Sequence, residues 1–354
     1  MDLIPDLWLG KRIVVTGHTG FKGAWLTYIL NGLGVEVFGI SLPAIKPRSL
    51  YEDAEIAKLV KQEFIQDIRS MEMLKSIFDE VKPDYVFHLA AQPLVRESVL
   101  DPIATISTNV LGTSNLLLAA FEHSNLLGIT VATTDKVYEN EEKVKSFIEN
   151  DKLGGVDPYS ASKAATEILT KALTRSNNRH KIPVATVRAG NVIGGGDWAS
   201  DRLVPDIVRA LESGQTLQIR NMTASRPFQH VLDCIYGYLL VAQNHISSQN
   251  VETFNSYNFG PDKSFTVSNM IKEFLLAFET QIKIEEIASQ IEEQNQLVLD
   301  SSKAKHELKW APNYTPVQSI KETANWYSKF LKKENISGIM QESINNHGRF
   351  KNGM

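Results

Sequence analysis

The feature that most constrains the fold is a buried-strand pattern followed by three regularly spaced glycines and a helical pattern. RIVVTG, residues 12–17, is apolar and β-branched, as is typical of a strand buried on both faces. Gly17, Gly20 and Gly23 follow in the spacing G-x-x-G-x-x-G, before apolar residues at helical intervals. Such a loop lets the backbone approach a pyrophosphate, which binds at the positive N-terminus of the helix. The sequence therefore predicts a dinucleotide site.

The alternation of strand and helix continues to about residue 190. Helical patterns separate the later strand patterns, which are VEVFGI, DYVFHLAA, GITVATTD and PVATVRAG. Such alternation is typical of βαβ units that form a parallel sheet covered on both faces. We therefore predict an α/β protein with a Rossmann-like, doubly wound parallel sheet and a smaller, partly interleaved C-terminal substrate-binding domain.

After Gly190 the pattern breaks into short pieces, which predicts a change of domain. The predicted dinucleotide-binding domain is 1–190, with later segments 232–257 and 316–332 packing onto it. The predicted substrate-binding domain is 191–231 and 258–315. Residues 333–354 are expected to be a mobile tail.

Composition excludes several classes of protein. A net charge of −4 argues against nucleic acid and anionic membranes as partners. The single cysteine, Cys234, and histidines without metal spacing predict no disulfide framework and no metal site. The N-terminus is short and charged for a signal peptide, and no apolar run approaches the ~20 residues of a spanning helix. These observations predict a cytoplasmic protein.

The second strand lacks the acid that usually binds the adenosine ribose. Ser41 stands there, and Lys46 and Arg48 follow, so the position leaves NAD and NADP both open. Ser41 can hydrogen-bond either ribose. Asp67, followed by apolar Ile68, is a candidate adenine contact, with a turn-capping role as an equal alternative.

A tyrosine and a lysine four residues apart are the candidate proton-transfer pair. Tyr159 and Lys163 share one face of a predicted helix that opens at DP. An ammonium beside a phenol favours the phenolate, so we expect the Tyr159 pKa to fall from ~10 toward the working pH. The tyrosine could then act as a general base or acid.

In combination, these motifs resemble the extended short-chain dehydrogenase/reductase family over nearly the whole chain. The resemblance implies NAD as cofactor and a strand end at Thr133 beside the nicotinamide. It also implies that Thr134 hydrogen-bonds the sugar 4-hydroxyl beside Tyr159, and HLAAQ and TNVLGT match family stretches. The residues so assigned to the cofactor are Gly17, Thr19, Gly20, Phe21, Lys22, Gly23, Ser41, Asp67, Ile68, Leu89, Ala90, Ala91, Thr108, Thr133, Tyr159 and Lys163.

The pair Asp135–Lys136 indicates which subgroup of this family the chain resembles. Family members that epimerise at C4 carry a small or apolar residue after the serine or threonine, and members that remove water carry Asp-Glu. The Asp-Lys form, with GHTGFKGAWL, GNVIGGGDW, DRLVPD and RPFQHVLD, is similar to the 4,6-dehydratases of CDP-glucose. The implied reaction oxidises C4, expels water from C5 and C6, and reduces C6 with the same bound NAD. Gln294–Asn295–Gln296 depart from the His-Glu-Ala of that group.

The resemblance implies chemical roles for both members of the pair. Asp135, held protonated, would expel the C6 hydroxyl. Lys136 stands where relatives carry the C5 base. To be that base it must be neutral, a shift from ~10.4 to about 7 that costs roughly 4–5 kcal/mol. As an ammonium it would instead stabilise the enolate or the leaving group. A surface ion pair worth about 0–1 kcal/mol is the structural alternative, which the position at a strand end opposes.

Arginines after residue 190 are the candidate ligands of a nucleoside diphosphate. Arg202 and Arg226 are expected at the phosphates with Asn191, and Arg220 along the base or ribose. A core role for Trp198 and a folding role for His230, with its neighbour Asp233, are equally open. The predicted substrate contacts are Gln92, Arg96, Asn191, Trp198, Arg202, Arg220, Arg226 and His230.

The helical stretches 102–124 and 158–173 carry few charges and resemble helices that pair relatives through a four-helix bundle. We therefore expect a homodimer, with a tetramer as the alternative. Two other functions stay open: a C4 epimerase or dehydratase of a dTDP-, GDP- or UDP-linked sugar, and a non-catalytic NAD(P) sensor. Asp135 argues against the epimerase, and intact Thr134, Tyr159 and Lys163 argue against the sensor.

Overall fold

A parallel sheet organises the chain in the computed structural model, which describes residues 2–140, 146–248, 251–287 and 297–350. The sheet has the order β12-β7-β5-β4-β1-β2-β3 among these residues. The strands are β1 Arg12–Thr16, β2 Glu36–Ser41, β3 Gln62–Ile65, β4 Tyr85–His88, β5 Ile129–Ala132, β6 Ser146–Phe147, β7 Val184–Ala189, β8 Val192–Ile193, β9 Leu217–Ile219, β10 Ser225–Arg226, β11 Gln229–His230, β12 Phe254–Phe259, β13 Phe265–Thr266, β14 Ile284–Glu286 and β15 Val298–Leu299.

Helices cover both faces of this sheet. Within the described ranges they are α1 Phe21–Gly32, α2 Leu50–Asp53, α3 Met71–Val81, α4 Val95–Leu100, α5 Pro102–Ile106, α6 Thr113–Ala120, α7 Pro158–Ser176, α8 Leu203–Ser213, α9 Val231–Ser247, α10 Val267–Ala277, α11 Ser302–Glu307, α12 Pro316–Leu331 and α13 Ile336–His347.

The central strands are apolar on both sides because the sheet separates two cores. In β1, Ile13 and Val15 lie in one core with residues of α1 and α9, and Val14 lies in the other with residues of α3 and α6. β1 pairs in parallel with β2 and β4, so that Val15 lies between Gly39 and Phe87. The predicted Rossmann-like, doubly wound fold is confirmed.

The edge strand β12 was not predicted, because its sequence, FNSYNF, mixes polar residues into the apolar pattern. Asn258 explains how a polar side chain is buried there. Its amide donates to the carbonyls of Phe147 and Asp300, at 2.8 and 3.1 Å, and its oxygen accepts from Tyr138. The amide is fully satisfied, so its burial costs little.

The predicted long helix from residue 102 contains a π-helical turn, Ser107–Gly112, between α5 and α6. The carbonyl of Asn109 there accepts hydrogen bonds from two side chains, Thr113 and Thr166. By length and apolar composition Pro102–Ala120 could cross a membrane, contrary to the expectation that no such run exists. Half of this window is buried inside the protein, as in a core helix.

The predicted mobile tail is wrong as far as residue 350. It forms α13, which packs on α12. Its last residue, His347, is buried with its Nε2 3.0 Å from Asp233 Oδ1. Asp233 also accepts from the backbone N–H groups of Asn313 and Tyr314, so this carboxylate supports folding rather than facing a ribose.

Three points from the sequence analysis are neither confirmed nor contradicted by the structure. The division into a dinucleotide-binding and a substrate-binding domain stays a prediction. The departure at 294–296 lies outside the described residues, as does part of the charge-rich segment 141–152. Among the residues that are described, no group of three or more His, Cys, Asp or Glu could hold a metal ion.

Candidate active site

The glycine loop after β1 forms a tight anion cradle at the start of α1. Gly17 has φ +74°, and a Cβ there would lie 2.8 Å from the backbone nitrogen of Ala90. A Cβ on Gly23 would lie 2.0 Å from the carbonyl oxygen of Gly17, so only glycine allows this approach. Gly20 has no side chain to cap α1, which leaves the first N–H groups of the helix for an anion. This cradle fits a dinucleotide pyrophosphate.

The adenosine end of the cradle joins two predicted cofactor residues. Thr19 Oγ1 lies 2.7 Å from Ser41 Oγ and donates to the carbonyl of Leu42. Lys46 and Arg48, the two cations near Ser41 that kept NADP as an alternative to NAD, are both paired with carboxylates. Lys46 pairs with Glu52, and Arg48 pairs with Glu212 at 3.0 Å. Hydroxyl groups rather than free cations therefore line this end.

The structure gives Asp67 the turn-capping role. Its carboxylate accepts from the backbone nitrogen of Arg69 at 2.9 Å and from Nη2 of the same residue at 2.6 Å. These contacts hold the pKa of the Asp67 carboxyl below its usual range. The neighbouring Ile68 side chain packs toward Gly112 of the π-helical turn. Ile68 is therefore a residue of the hydrophobic core.

A chain of hydrogen bonds fixes the stretch after β4, where Leu89 and Ala90 are predicted to lie under the cofactor. Thr16 Oγ1 accepts from the N–H groups of Leu89 and Ala90, both at 3.1 Å, so its proton goes to His88 Nδ1 at 2.7 Å. His88 Nε2 then donates to Thr113 at 2.9 Å. Burial, with the charge of Lys163, lowers the pKa of His88 to about 3, so the imidazole is neutral. The sequence analysis missed Thr16 and His88, although HLAAQ contains the latter.

Asn109 ties this stretch to the catalytic helix. Its oxygen accepts from the backbone N–H of Gln92 at 2.8 Å, and its amide donates to Ser162 of α7 at 2.9 Å. The side chain of Gln92 donates to Thr105 and to the carbonyl of Leu94. These hydrogen bonds occupy the amide nitrogen of Gln92, which argues against the predicted contact with the substrate. The remaining predicted cofactor residues here, Ala91 and Thr108, are half-buried.

Tyr159 and Lys163 lie on α7 as predicted, but the expected pKa relation is wrong. Burial raises the pKa of Tyr159 to about 12, although the Thr134 hydroxyl and the Arg202 guanidinium oppose it. Lys163 Nζ donates to the carbonyl of Ala132 at 3.1 Å. Burial and the nearby Lys22 lower the pKa of Lys163 to about 8. Desolvation of the phenol therefore outweighs the cations in this structure.

Asp135 is a buried carboxyl beside the predicted catalytic residues. It is 4% exposed and accepts from Thr134 Oγ1 at 2.9 Å. Burial raises its pKa, opposed by Lys136, Thr134 and Arg226. Its Oδ2 lies 3.2 Å from the position that a Cβ on Gly190 would take, so this glycine makes room for the carboxyl. Burial therefore shifts this carboxyl toward its neutral form relative to an exposed aspartate.

The surface ion pair offered as the structural alternative for Asp135–Lys136 is wrong. Within the described residues, Lys136 lies within 4.0 Å of no carboxylate, Asp135 included. Lys136 is half-buried, and its backbone N–H bonds Thr134 Oγ1 at 3.4 Å. The two side chains therefore share the cleft without forming an ion pair.

Three of the arginines predicted to contact the substrate are paired with carboxylates. Arg202 Nη1 lies 2.9 Å from Asp197 Oδ2. Arg96 and Arg220 both meet Asp201 Oδ1, at 3.3 and 2.8 Å. These pairs fix the guanidinium groups in place, and Arg202 and Asp197 lie next to the cleft that holds Tyr159.

Other predicted substrate residues divide between cleft and core. Arg226 is half-buried and acts electrostatically on Asp135. Asn191 is half-buried, and its carbonyl accepts from Gln229 at 3.0 Å. Trp198 packs edge-on against Tyr327 in the core, with the ring centroids 5.3 Å apart.

His230 has the folding role that the sequence left open, so the predicted substrate contact is wrong. It is 2% exposed, and its Nδ1 accepts from the backbone nitrogen of Leu232 at the start of α9. Burial, with His347 nearby, lowers its pKa to about 3.

A buried ion pair under the cleft was missed by the sequence analysis. Glu167 of α7 and Arg188 of β7 are 2.9 Å apart, with side chains 1% and 3% exposed. Glu167 also accepts from Thr133 and Thr186, both at 2.6 Å, and Arg188 donates to Tyr138 at 2.7 Å. Two signals were present: Glu167 follows Lys163 by one helical turn, and an arginine stands inside a buried strand pattern.

Comparisons with known proteins agree with this geometry. A family model described as GDP-mannose 4,6 dehydratase matches residues 14–323. The CDP-glucose 4,6-dehydratase of Salmonella typhimurium is 38% identical over 351 residues, 97% of each chain. Among solved structures, the UDP-glucuronic acid 4-epimerase of Bacillus cereus, in complex with UDP-glucuronic acid and NAD, has TM-score 0.78 at 24% identity, covering 90% of this chain and 99% of its own.

A second solved structure shows the same fold. The dTDP-glucose 4,6-dehydratase of Bacillus anthracis, in complex with NAD, has TM-score 0.76 at 23% identity and covers 90% of this chain and 97% of its own. The family match and the 38% relative decide the family. The chain belongs to the GDP-mannose 4,6-dehydratase family of extended short-chain dehydrogenases/reductases, as its motifs predicted.

Proposed function

We propose that the protein is an NAD-dependent hydro-lyase that converts CDP-glucose to CDP-4-dehydro-6-deoxyglucose, a step in deoxysugar formation for surface polysaccharides. The observation that carries the proposal is the buried carboxyl of Asp135, whose pKa is raised by burial, beside Thr134 in the cleft of Tyr159. An acid is required to expel water at C6, whereas a C4 epimerase needs none. The name of the 38% identical relative supports CDP-glucose as substrate. We also propose that the reaction takes place in the cytoplasm.

NAD fits the glycine cradle and the hydroxyl pair of Thr19 and Ser41. When bound, NAD would supply the hydride acceptor for C4 of the sugar and the hydride donor for C6. Tyr159 would accept the proton of the 4-hydroxyl, which Thr134 also contacts. The Arg202 guanidinium in the same cleft favours the tyrosinate as the proton leaves, and Lys163, one turn further along α7, would add a second cation.

Water is lost through Asp135 and Lys136. The 4-ketone makes the C5 proton acidic. Lys136, acting as the base, would take that proton while Asp135 gives its own proton to the departing C6 hydroxyl. Lys136 would return the proton to C5 once C6 has been reduced. In the alternative role, the Lys136 ammonium stabilises the enolate oxygen. Asn191, Arg202, Arg220 and Arg226 would bind the nucleoside diphosphate.

The test is mass spectrometry of CDP-glucose, dTDP-glucose, UDP-glucose and GDP-mannose after incubation with the protein and catalytic NAD⁺. Loss of one water from CDP-glucose alone supports both the dehydration reaction and cytidine as the nucleoside of the substrate. Loss from another sugar nucleotide keeps the chemistry and replaces the substrate. No mass change contradicts the dehydratase proposal, and NMR of the products would then distinguish an epimerase from a sensor.

Asp135→Asn and Lys136→Met are expected to stop the reaction at different steps. Asp135→Asn should lower water loss on the order of 10²–10⁴-fold, because the acid at C6 is missing. In ²H₂O it should still exchange the C5 proton, because C4 oxidation and Lys136 remain. Lys136→Met should lose both exchange and water loss. The measurement is NMR of recovered CDP-glucose. Exchange that persists in Lys136→Met would exclude Lys136 as the base.

We also propose that two copies pair through α7 and the helical run Pro102–Ala120, which begins with α5 and ends with α6. Within one chain, α5 and α6 both pack on α7. Apolar side chains on these helices remain exposed, with Ile103 73% and Ile168 56% exposed. Exposed apolar side chains are typical of subunit interfaces when they form one patch, and two helices from each copy would make a four-helix bundle.

Ile103→Glu is expected to convert this homodimer to a monomer, because a buried unpaired carboxylate is costly at an apolar interface. Light scattering after size-exclusion chromatography measures the mass. Ile45→Glu, at another exposed apolar position, is the matched control and should stay dimeric. A monomeric wild type, or a dimeric Ile103→Glu variant, would contradict the proposed interface.

A further inference from the structure

The two residues assigned to water loss lie on a short turn whose own hydrogen bonds are long. Asp135–Val137 form one turn of 3₁₀ helix shortly after β5. The backbone N–H groups of Lys136 and of the two residues after it meet oxygen atoms of residues 134 and 135, each at 3.4 Å. These distances exceed the roughly 2.7–3.2 Å of a typical N–H···O hydrogen bond. The placement of Asp135 and Lys136 therefore depends on what holds the two ends of the turn.

One buried ion pair is bonded to both ends of this turn. On the side of β5, Thr133 donates to Glu167 Oε1 at 2.6 Å. On the other side, the Tyr138 hydroxyl accepts from Arg188 Nη1 at 2.7 Å. Arg188 donates to Glu167 through two contacts of 2.9 Å, Nε to Oε1 and Nη2 to Oε2. A bidentate pair adds geometric specificity as well as energy, so it limits how far residues 133 and 138 can move relative to each other.

The Tyr138 side chain is the anchor at the far end of the turn. Its hydroxyl also donates to Asn258 Oδ1 at 2.7 Å. Its ring is fully buried and stacks on Phe147, with the ring centroids 4.9 Å apart. The preceding carbonyl, that of Val137, accepts from the N–H group of Gly154 at 2.8 Å. Because the phenol is buried and bonded to the protein on both sides, it acts on the reaction through the backbone.

We propose that Tyr138 is a positioning residue for water loss. Its hydroxyl keeps the turn in the place from which Asp135 and Lys136 reach C6 and C5 of the sugar. Oxidation at C4 depends instead on Tyr159 and Lys163, which lie on a different element, α7. This inference rests on the proposed function. It holds for either role of Lys136, since a base and an ammonium would both need this placement.

The test compares two substrates in wild type and Tyr138→Phe, a variant that keeps the stacked ring and loses the hydroxyl. Single-turnover loss of water from CDP-glucose, measured by mass spectrometry, reports the whole dehydration. CDP-6-deoxyglucose has no C6 hydroxyl to expel, so it reports oxidation alone: its C4 hydride passes to NAD⁺ and its 4-hydroxyl proton to Tyr159. The absorbance of NADH gives that rate. In Tyr138→Phe we expect water loss to slow on the order of 10–10²-fold through misplacement of the turn, and NADH formation to be unchanged.

The ratio of the two rates distinguishes placement from stability, because both rates scale with the amount of folded protein. Tyr85→Phe is the matched control. Its hydroxyl is also fully buried between two partners, Thr130 and His245, each at 2.8 Å, but it lies at the start of β4, at the end of the sheet away from the cleft. This variant should keep the wild-type ratio.

Two results would count against the proposal in different ways. A ratio in Tyr138→Phe that is unchanged, whether both rates hold or fall together, would overturn this inference alone, as would a larger fall in NADH formation than in water loss. A wild type that removes no water from CDP-glucose and forms no NADH from CDP-6-deoxyglucose would overturn the proposed function with it.

Discussion

Tyr159→Phe is expected to lower the rate of dehydration on the order of 10²–10⁴-fold, because the variant has no group to accept the proton of the 4-hydroxyl. The fold should be unchanged. The aromatic ring remains in its buried position, and the backbone N–H of residue 159 still donates to Ser98 Oγ at 3.0 Å. Single-turnover rates with CDP-glucose and NAD⁺ give the effect on chemistry, and the dissociation constant of NAD⁺ gives the effect on binding.

The pH dependence of the wild type follows from the same tyrosine. Burial raises the pKa of Tyr159 to about 12, so the tyrosinate fraction, and with it the rate of C4 oxidation, should rise from neutral to alkaline pH. Tyr159→Phe should lose this rise. Tyr28→Phe is the matched control, since its hydroxyl bonds Ser337 at the surface. Retention of more than a tenth of the wild-type rate in Tyr159→Phe would exclude the residue as the proton acceptor.

Arg188→Met is expected to destabilise the protein by about 3–5 kcal/mol, the cost of leaving a buried partner charge unpaired. The carboxylate of Glu167 would then lack its cation and keep only the hydroxyls of Thr133 and Thr186. Thermal and urea unfolding of wild type, Arg188→Met, Glu167→Gln and the double variant give a double-mutant cycle. The double variant should lose less stability than the two single variants added together, because it leaves no unpaired charge.

The exposed pair Lys61–Glu36 supplies the control, since Lys61→Met should cost about 0–1 kcal/mol. Burial favours the neutral form of Glu167, but Arg188 and the hydroxyls outweigh it and hold the pKa below its usual 4.5. The stability from this pair is therefore present above pH about 4.5 and lost as pH falls through the lowered pKa. A cost near zero for Arg188→Met at neutral pH would contradict the assignment.

The first half of the fold was predictable because its strands are short apolar runs separated by amphipathic helices. The run RIVVTG predicts a strand that is buried on both faces, and β1 is such a strand. The polar strand β12 was missed because Asn258 and its neighbours are satisfied by partners far away in the chain. Residues of α13 were taken for a tail because nothing near them shows that His347 meets Asp233.

The candidate site was predictable only as far as motifs place residues. The backbone brings Thr134, Asp135 and Tyr159 into one cleft, which spacing and resemblance indicated. Motifs do not show which way a side chain points, so Gln92 and His230 were assigned to substrate although their polar atoms bond the protein itself. The direction of the pKa shift of Tyr159 could not be predicted from the sequence, because it depends on how far the folded cleft desolvates the phenol.

The edge strand β12 determines when this chain can finish folding on the ribosome. The neighbouring sheet strand, β7, lies much earlier in the chain, and α8 and α9 lie between the two strands. The Asp233 side chain of α9 pairs with His347, which is made much later. Nascent domains generally fold from the N-terminus as they emerge. Here the first half can collapse early, but its sheet lacks an edge until residue 259 is made, and α9 lacks its final partner until residue 347. The contacts that complete this sheet and anchor α9 can therefore form only after most of the chain has been made.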